Sequence, residues 1–305
     1  MRHLLSIADL ERADVERILE TARALDGLDG KLPMLGGRLV ITLFYEASTR
    51  TSSSFELAAR RLSADVMSIK AAGSSADKGE SLKDTVLTLG AYDPAAIVIR
   101  HPQIGAPQLV ARHTAGAVVN AGDGKHQHPT QALLDLYAMR GAFGELEGLQ
   151  VAIVGDVLHS RVARSLVQAL GLVGAHAVLV GPPSLIPRGI EGLGCETAHD
   201  IGAIADADCV YVLRMQRERM ESAYVPSLRE YTALWGVTPE RIRPGQKVMH
   251  PGPINRGVEI DGRVADSPQS LILAQVRAGL AVRMAVLHEL LATEARVPAR
   301  AVVAA

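Results

Sequence analysis

The sequence predicts an α/β fold built from two α/β domains, each with a mainly parallel sheet flanked by helices. Short apolar runs rich in Val and Ile alternate along the chain with longer segments in which apolar residues recur every three or four positions. Several of the short runs show little polar alternation, as is typical of parallel strands that are covered on both faces. A glycine-containing segment at 141–148 lies near the middle of the 305 residues and separates two halves of similar size.

The predicted strands are apolar runs distributed over both halves of the chain, at 39–45, 95–99, 117–120, 151–154, 177–180, 209–213 and 247–250. Apolar residues at helical spacing predict helices in three places, with members Phe55, Ala58, Ala59 and Leu62; Ala163, Leu166, Val167 and Leu170; and Leu273, Val276, Leu280, Met284, Leu287 and Leu291. Ser267 followed by Pro268 is predicted to mark the start of the last helix, and a further helix is predicted over 130–140.

These elements place the first domain at 1–143 and the second at 144–292, followed by a frayed, Ala-rich tail at 293–305. We expect the C-terminal helix, at about 269–292, to pack back onto the first domain. Ligands of parallel α/β folds bind at the carboxyl ends of the strands, so we expect the active site in the crevice between the two domains.

Composition disfavours several classes of protein. Lys and Arg number 32 against 33 Asp and Glu, a formal net charge of -1, which argues against a protein that coats nucleic acid or an anionic membrane. Aromatic residues make up only 3%, so a base-stacking surface is not expected. Cys195 and Cys209 lack the spacing of a disulfide framework or a metal site. Because no signal-peptide core and no uninterrupted apolar span are visible, we expect a cytoplasmic protein.

The residues after the first predicted strand suggest a phosphate site. Ser48-Thr49-Arg50-Thr51 precedes a predicted helix, where hydroxyls, a guanidinium and backbone N–H groups together suit an anion. An ordinary helix cap is an equally open interpretation, because Ser and Thr are common N-cap residues. The small, polar segment at 73–81 leads into another helix, and it suits either a solvated surface loop or a lid that carries Lys78 onto an anion.

The segment after the third predicted strand is more specific. Two glycines at 122–124 allow a tight turn, and Pro129 suits the first position of the next helix. His128 and Gln131 then lie near the helix start, where they could hold a carbonyl oxygen and its neighbouring amino group, although His128 could instead simply cap the helix. After the last predicted strand, 251–253 reads Pro-Gly-Pro, which either forms a rigid turn or leaves carbonyl oxygens to accept from a ligand amide.

An arginine follows each of four predicted strands: Arg50, Arg100, Arg161 and Arg214. Each alone suits an ordinary surface residue or salt bridge, but together at converging strand ends they imply a ligand with several negative charges. Arg161 would also lie in the first turn of a helix, where it opposes the helix dipole and suits a bound anion. The sequence contains no Gly-rich nucleotide loop, G-x-S-x-G elbow or metal-ligand spacing. We therefore expect chemistry by positioning and electrostatic stabilisation, without metal, cofactor or covalent intermediate.

Four motifs in order resemble the aspartate/ornithine carbamoyltransferase family, namely Ser48-Thr49-Arg50-Thr51, Lys78-Gly79-Glu80, His128-Pro129-Thr130-Gln131 and His250-Pro251-Gly252-Pro253. The similarity runs from His3 to about Leu291, and the four spaced motifs together are highly specific. Within the family, the chain looks like the catalytic chains that use aspartate. Ser52 stands where many members have a second Arg, and Asp77 stands where a basic or uncharged residue is frequent.

The resemblance implies transfer of the carbamoyl group of carbamoyl phosphate to the amino group of L-aspartate, an early step of de novo pyrimidine biosynthesis. It implies a carbamoyl phosphate-binding domain at 1–143, an aspartate-binding domain at 144–292 and a homotrimer of catalytic chains. Assembly with regulatory chains or dihydroorotase-type subunits stays open. No cofactor, metal, nucleic acid or membrane partner is implied.

The resemblance also implies site residues. For carbamoyl phosphate they are Ser48, Thr49, Arg50, Thr51, Arg100, His128, Gln131 and the main-chain oxygens of Gly252 and Pro253. The catalytic residues among these are Arg50, Thr51, Arg100 and His128. For aspartate they are Lys78, Arg161, Arg214 and Gln216, with Ser74 and Lys78 entering from the adjacent subunit.

Two alternatives stay open at this point. Ornithine carbamoyltransferase is the nearer one, but it typically has a Cys in the motif that is His-Pro-Gly-Pro at 250–253 here. Arg214 and Gln216 also suit a second carboxylate better than a cationic side chain. The alternative from another class is a non-catalytic phosphate-binding protein on the same fold, and retention of the motif residues argues against it.

Overall fold

The computed structural model describes residues 1–70, 79–216 and 224–292. The chain forms two compact units. Unit 1 comprises Met1–Leu133 together with the chain from Arg277 onward, and unit 2 comprises Leu134–Val276. The sequence-predicted boundary after residue 143 follows the helix at Pro129–Phe143, whereas the two units divide within that helix.

Unit 1 alternates strands and helices in chain order: α1 (Arg12–Leu25), β1 (Leu39–Phe44), α2 (Thr49–Arg61), β2 (Asp65–Lys70), α3 (Leu82–Gly90), β3 (Ala96–His101), α4 (Ala106–His113), β4 (Ala117–Asp123) and the start of α5 (Pro129–Phe143). The strands form a parallel sheet in the order β2-β1-β3-β4. Buried residues of β1, β3 and β4, among them Ile41, Ile97 and Val118, pack against Val86 and Val110. This apolar packing holds the carboxyl ends of the central strands at one edge of the sheet.

Unit 2 repeats the alternation after α5: β5 (Gln150–Val154), α6 (Arg161–Leu172), β6 (His176–Val180), β7 (Glu196–Ala198), β8 (Cys209–Val212), α7 (Leu228–Trp235), β9 (Lys247–Met249), α8 (Gly262–Ala265) and the start of α9 (Ile272–Leu291). Its parallel sheet has the order β7-β6-β5-β8-β9. Val154, Val210 and Val248 form part of a core that includes Tyr231 and Trp235. The predicted fold class, two parallel-sheet α/β domains flanked by helices, is confirmed.

Two strands, β2 and β7, were not predicted from the sequence. Both are at sheet edges, so each pairs on one side only with another strand of its sheet. In β2, Asp65, Ser68 and Lys70 interrupt the apolar residues, and no residue of the strand is fully buried. β7 is three residues long. Neither strand has the continuous apolar run that is typical of a buried parallel strand, so neither could be predicted from that pattern.

The predicted start of the last helix at Ser267-Pro268 is wrong. Ser270 bridges to Val248 in parallel, and the Leu271 amide donates to the Val248 carbonyl at 2.8 Å, so this stretch extends beside β9 before α9 begins at Ile272. The predicted apolar face is also wrong at its start, because Leu273 is 73% exposed. Among the described residues, no helix combines the length and the apolar character that crossing a membrane requires.

Candidate active site

Three neighbouring parallel strands of unit 1 carry most of the sequence-predicted carbamoyl phosphate residues. β1, β3 and β4 lie side by side, so their carboxyl ends share one edge of the sheet. Ser48–Thr51 follows β1, Arg100 is the fifth residue of β3, and His128 and Gln131 follow β4 at the start of α5. The sheet order therefore brings these three segments to one edge, as expected for a ligand site of a parallel α/β fold.

Ser48 is the N-cap residue of α2 by position, but its side chain makes no capping hydrogen bond. Its hydroxyl instead accepts a hydrogen bond from Nη1 of Arg100 at 3.1 Å. The first-turn N–H groups of an α-helix have no intrahelical acceptor, so they direct partial positive charge out of the helix start. The Arg50 side chain is exposed at this helix start and Thr51 is buried beside it. This arrangement suits an anion better than the alternative of an ordinary serine cap.

Arg100 occupies an irregular position at the end of β3. The β3–β4 register shifts between Ile99 and His101, so Arg100 lies within the irregularity. A shift of this kind turns a side chain away from the regular alternation of the strand. The guanidinium reaches Glu46 through Nε at 3.2 Å, in addition to the bond with Ser48. Arg100 is thus held by partners from the segment after β1 rather than extended into solvent.

Asp123 organises the turn between β4 and α5. It is completely buried, and one carboxylate oxygen accepts from the Asn120 amide at 2.9 Å and from the Gln127 N–H at 3.0 Å. The other oxygen is bonded to the Gly105 N–H at 3.0 Å and to Nδ1 of His126 at 3.1 Å. Burial alone would raise the pKa of Asp123, but the hydrogen bonds, the first of them from His126, outweigh burial and hold the pKa below its usual value.

The turn ends at His128, whose carbonyl accepts the first hydrogen bonds of α5, from the N–H groups of Gln131 at 3.0 Å and Ala132 at 3.3 Å. Both sequence-predicted side chains here, His128 and Gln131, are buried. Gly124 has a φ of 48°, and a Cβ on it would lie 2.9 Å from the Pro102 carbonyl oxygen. Glycine is therefore required at this position because the Pro102 carbonyl oxygen lies too close for a Cβ, and not because a ligand must approach the main chain.

Unit 2 shows the same relationship between strand ends and predicted residues. β5, β8 and β9 are neighbours in its sheet. Arg161 is the first residue of α6 after β5 and is 4% exposed, while Arg214 and Gln216 follow β8. Gly252 and Pro253 follow β9. Arg161 lies in the first turn of α6, where a positive charge opposes the helix dipole, so its position suits an anionic ligand group.

A buried carboxylate, Asp156, joins two of these segments. It lies after β5, where Oδ1 is 2.8 Å from Nδ1 of His159 and also accepts the His159 N–H. Its other oxygen accepts the N–H of Gln216 at 3.1 Å. The start of α6 and the segment after β8 are therefore fixed relative to each other through one side chain.

The main chain of His250 is held by a buried chain of hydrogen bonds. The His250 N–H donates to Oε1 of Gln275 at 2.9 Å. Nε2 of Gln275 donates to Asp135 at 2.8 Å, and Asp135 also accepts from the Tyr211 hydroxyl at 2.7 Å. The peptide between Gly252 and Pro253 is cis.

Some sequence-predicted residues lie outside the described residues, and some contributors were not predicted. Ser74 and Lys78 belong to the first group, as does the tail at 293–305. Glu46, Asp123 and Asp156 belong to the second. Asp123 and Asp156 each lie next to a glycine at a strand end, and this was the signal that the sequence offered for them. Their hydrogen-bond partners are set by tertiary contacts, which the spacing of residues in the sequence does not reveal. Within the described ranges, no group of three or more His, Cys, Asp or Glu side chains is placed to hold a metal ion.

Comparison with known proteins identifies the family. Residues 2–141 match the aspartate/ornithine carbamoyltransferase carbamoyl-P binding domain, and residues 147–290 match the Asp/Orn binding domain of the same family. The aspartate carbamoyltransferase catalytic subunit of Salinispora arenicola is 55% identical over 302 residues, covering 95% of this chain and 98% of that protein.

Solved structures of this family are similar along nearly the whole chain. Aspartate transcarbamoylase from Trypanosoma cruzi, in complex with carbamoyl phosphate and aspartate, has a TM-score of 0.86 at 31% identity and covers 95% of this chain and 97% of its own. Ornithine carbamoyltransferase from Thermus thermophilus has a TM-score of 0.85 at 26% identity, with 95% and 99% coverage. With both domains matched and more than half of the residues shared with a full-length relative, the chain belongs to the aspartate/ornithine carbamoyltransferase family.

Proposed function

We propose that this chain is an aspartate carbamoyltransferase catalytic chain. It transfers the carbamoyl group of carbamoyl phosphate to the amino group of L-aspartate and yields N-carbamoyl-L-aspartate and phosphate, an early step of de novo pyrimidine biosynthesis. The observation that carries the choice of aspartate over ornithine is the 55% identity, over 95% of the chain, to a catalytic subunit of that name. The His-Pro-Gly-Pro motif after β9, which lacks the Cys typical of ornithine enzymes, supports the same choice.

The strand ends of unit 1 suit carbamoyl phosphate. We assign its phosphate to the start of α2, where Ser48, Thr49, Arg50 and Thr51 supply hydroxyls, a guanidinium and helix N–H groups. We assign its carbonyl oxygen to Arg100 and His128, and its amino group to Gln131 together with the main-chain oxygens of Gly252 and Pro253.

The strand ends of unit 2 suit aspartate. Arg161 and Arg214 match its two carboxylates in charge, and Gln216 adds an amide nearby in sequence. We assign these three residues to aspartate, with Lys78 reaching the site from an adjacent subunit beside Ser74. A homotrimer of catalytic chains follows from that assignment, and larger assemblies with regulatory or dihydroorotase-type chains are compatible with it. We also propose a cytoplasmic location.

The reaction forms a C–N bond and breaks a C–O bond at the carbamoyl carbon. The neutral α-amine of aspartate attacks that carbon, and Arg100, His128 and Thr51 stabilise the oxyanion of the tetrahedral intermediate. The C–O bond to phosphate then breaks, the electron pair leaves with the phosphate, and the phosphate takes the proton that the amine loses. Positioning of the two substrates and stabilisation of the oxyanion both contribute to the rate in this scheme.

A phosphate-release assay tests the proposal directly. Purified protein is mixed with carbamoyl phosphate and either L-aspartate or L-ornithine, and phosphate and the carbamoylated amino acid are both quantified. We expect turnover with aspartate and only background with ornithine. Equal or faster turnover with ornithine would make the chain an ornithine carbamoyltransferase, and phosphate binding without turnover on either amino acid would make it a binding protein.

A further inference from the structure

We propose that Glu259 is a positioning residue that fixes the tautomer and orientation of His250 and thereby shapes the 250–253 loop. The inference rests on the proposed function, because that loop is assigned to the amino group of carbamoyl phosphate. Glu259 lies outside the four motifs, six residues after Pro253. It is 1% exposed, and it faces the ring of His250, which is equally buried.

The hydrogen bonds of His250 define its tautomer. The Gly252 N–H donates to Nδ1 of His250 at 2.8 Å, and because a backbone N–H can only donate, Nδ1 carries no proton. In the neutral ring the proton is then on Nε2, which lies 3.2 Å from Oε1 of Glu259. Glu259 is the acceptor that makes this tautomer favourable. A carboxylate that accepts a hydrogen bond from one ring nitrogen of a histidine commonly decides which of the two nitrogens carries the proton.

The same carboxylate oxygen closes the loop at its far end. The Asn255 N–H donates to Oε1 of Glu259 at 2.6 Å, so one atom contacts both the ring of His250 and the main chain five residues later. The loop between these contacts contains Gly252 and Pro253. Its carbonyl directions therefore depend on a chain of contacts from Glu259 through the ring of His250 to the Gly252 amide.

Burial of the Glu259 carboxylate lowers the stability of the folded chain, so stability does not explain why a carboxylate is placed here. Oε2 of Glu259 is buried, and the described residues provide it with no hydrogen-bond partner. A buried charged oxygen that is only partly satisfied costs free energy. An apolar side chain would avoid that cost, but it would remove the Glu259 oxygen that lies 3.2 Å from Nε2 of His250, and this favours the positioning role.

Two variants and a matched control test the proposal. Glu259→Gln keeps an oxygen acceptor for both donors, whereas Glu259→Leu removes it. Gln246→Leu is the control: Gln246 is also buried in unit 2 and bonds the carbonyls of Ile204 and Ala207 on the amino side of β9, so its loss perturbs stability without contacting the loop. We expect Glu259→Leu to lower kcat/KM for carbamoyl phosphate by up to about 100-fold, and Glu259→Gln to retain most of it.

The second readout is the protonation pattern of the His250 ring in 15N-histidine-labelled protein without substrates, with the signal assigned by its loss in His250→Gln. We expect one unprotonated Nδ1 and one protonated Nε2 in the wild type and in Glu259→Gln, and averaged or shifted ring signals in Glu259→Leu. An unchanged ring pattern in Glu259→Leu, or kinetics no worse than those of Gln246→Leu, overturns the positioning role. If the wild type turns over neither amino acid, the proposed function fails, while the ring pattern still tests the role of Glu259.

Discussion

Nη1 of Arg100 lies 3.1 Å from the hydroxyl oxygen of Ser48, so the arginine at the end of β3 donates to the N-cap residue of α2. The contact joins two segments that are separated by 52 residues in sequence. The same guanidinium is paired with Glu46, which keeps it at the edge of the sheet. A ligand phosphate or carbonyl at this edge meets a donor that is already held in place, which lowers the cost of organising the site on binding.

Replacement of Arg50 by alanine tests whether the start of α2 acts on the leaving group. We expect kcat to fall by about 10²–10³, because the guanidinium matters most as charge builds on the departing phosphate. The matched control is Arg60→Ala, which removes an exposed arginine from the last turn of the same helix. Steady-state phosphate release measures both variants. Turnover of Arg50→Ala within a few-fold of that of Arg60→Ala would make the segment a helix cap only.

The central strands and the strand-end arginines could be predicted from the sequence because each has a local signal. Residues 151–154 of β5 and all of β8 form continuous apolar runs, and Arg161 and Arg214 come soon after them. β2 has no such signal, because it is an edge strand that mixes polar and apolar residues. Its presence is decided by pairing with β1, which the sequence pattern of β2 alone does not encode.

The supporting residues of the site were harder to predict than the residues assigned to substrate. Asp123 and Asp156 were visible as acids beside glycines, but their four and three hydrogen bonds depend on where other strands and helices place their donors. Gln275 and Asp135 are 140 residues apart in sequence, yet they form one buried bond. Contacts at this separation have no periodicity or spacing that the sequence exposes.

The alanine variants of Arg100 and Arg214 are expected to differ in which kinetic constant changes, kcat or KM. Arg100→Ala removes a donor to the developing oxyanion and should mainly lower kcat. Arg214→Ala removes a contact to a carboxylate that does not react, so it should mainly raise KM for aspartate. Full substrate-saturation kinetics for aspartate measure the split, and identical profiles for the two variants would contradict the assignment.

A double variant controls for the partner of Arg100. Arg100→Ala removes the guanidinium that pairs with Glu46, so the negative charge of Glu46 acts more strongly on a nearby phosphate. Glu46→Gln combined with Arg100→Ala removes the repulsion. If Arg100 acts directly, the double variant stays as slow as Arg100→Ala; recovery toward wild-type turnover would mean that the single variant was slow because of Glu46.

His101 predicts a pH dependence of stability. Burial lowers its pKa from the ordinary value of 6.5, and Nδ1 of the ring accepts the Gln103 N–H at 3.0 Å. At pH values below 6.5, His101 is protonated in the unfolded chain but stays neutral in the folded chain until the pH reaches its lower folded-state pKa. The free energy of unfolding therefore falls as the pH drops from 6.5 toward that folded-state pKa. His101→Asn keeps a side-chain acceptor for the Gln103 N–H and removes the imidazole, which is the group that titrates.

The measurement is the free energy of unfolding in urea at about pH 7.5 and about pH 5.5, at one fixed protein concentration. We expect the wild type to lose more stability than His101→Asn between the two values. Other titrating groups are common to both proteins and cancel in the comparison. Equal losses in the two proteins would contradict a depressed His101 pKa.

Mixing of inactive chains tests whether a site is shared between subunits. Lys78→Ala and His128→Ala homotrimers should both be nearly inactive, because each lacks one assigned residue in every site. If His128 acts in one chain and Lys78 comes from the next, a random equal mixture should restore both residues in roughly one quarter of the sites. The physical basis is that a lysine from a neighbouring chain can close over two bound anions, exclude water and open again for product release.

The matched control is a mixture of His128→Ala and Arg100→Ala chains. Both residues belong to unit 1, and we assign both to the same chain's site, so no mixed trimer contains a complete site. Phosphate release after refolding of the mixed chains measures recovery, and native mass spectrometry establishes that hybrids formed. We expect about one quarter of wild-type activity in the first mixture and none in the second. Formed hybrids with no activity in the first mixture would mean that Lys78 serves its own chain or no site.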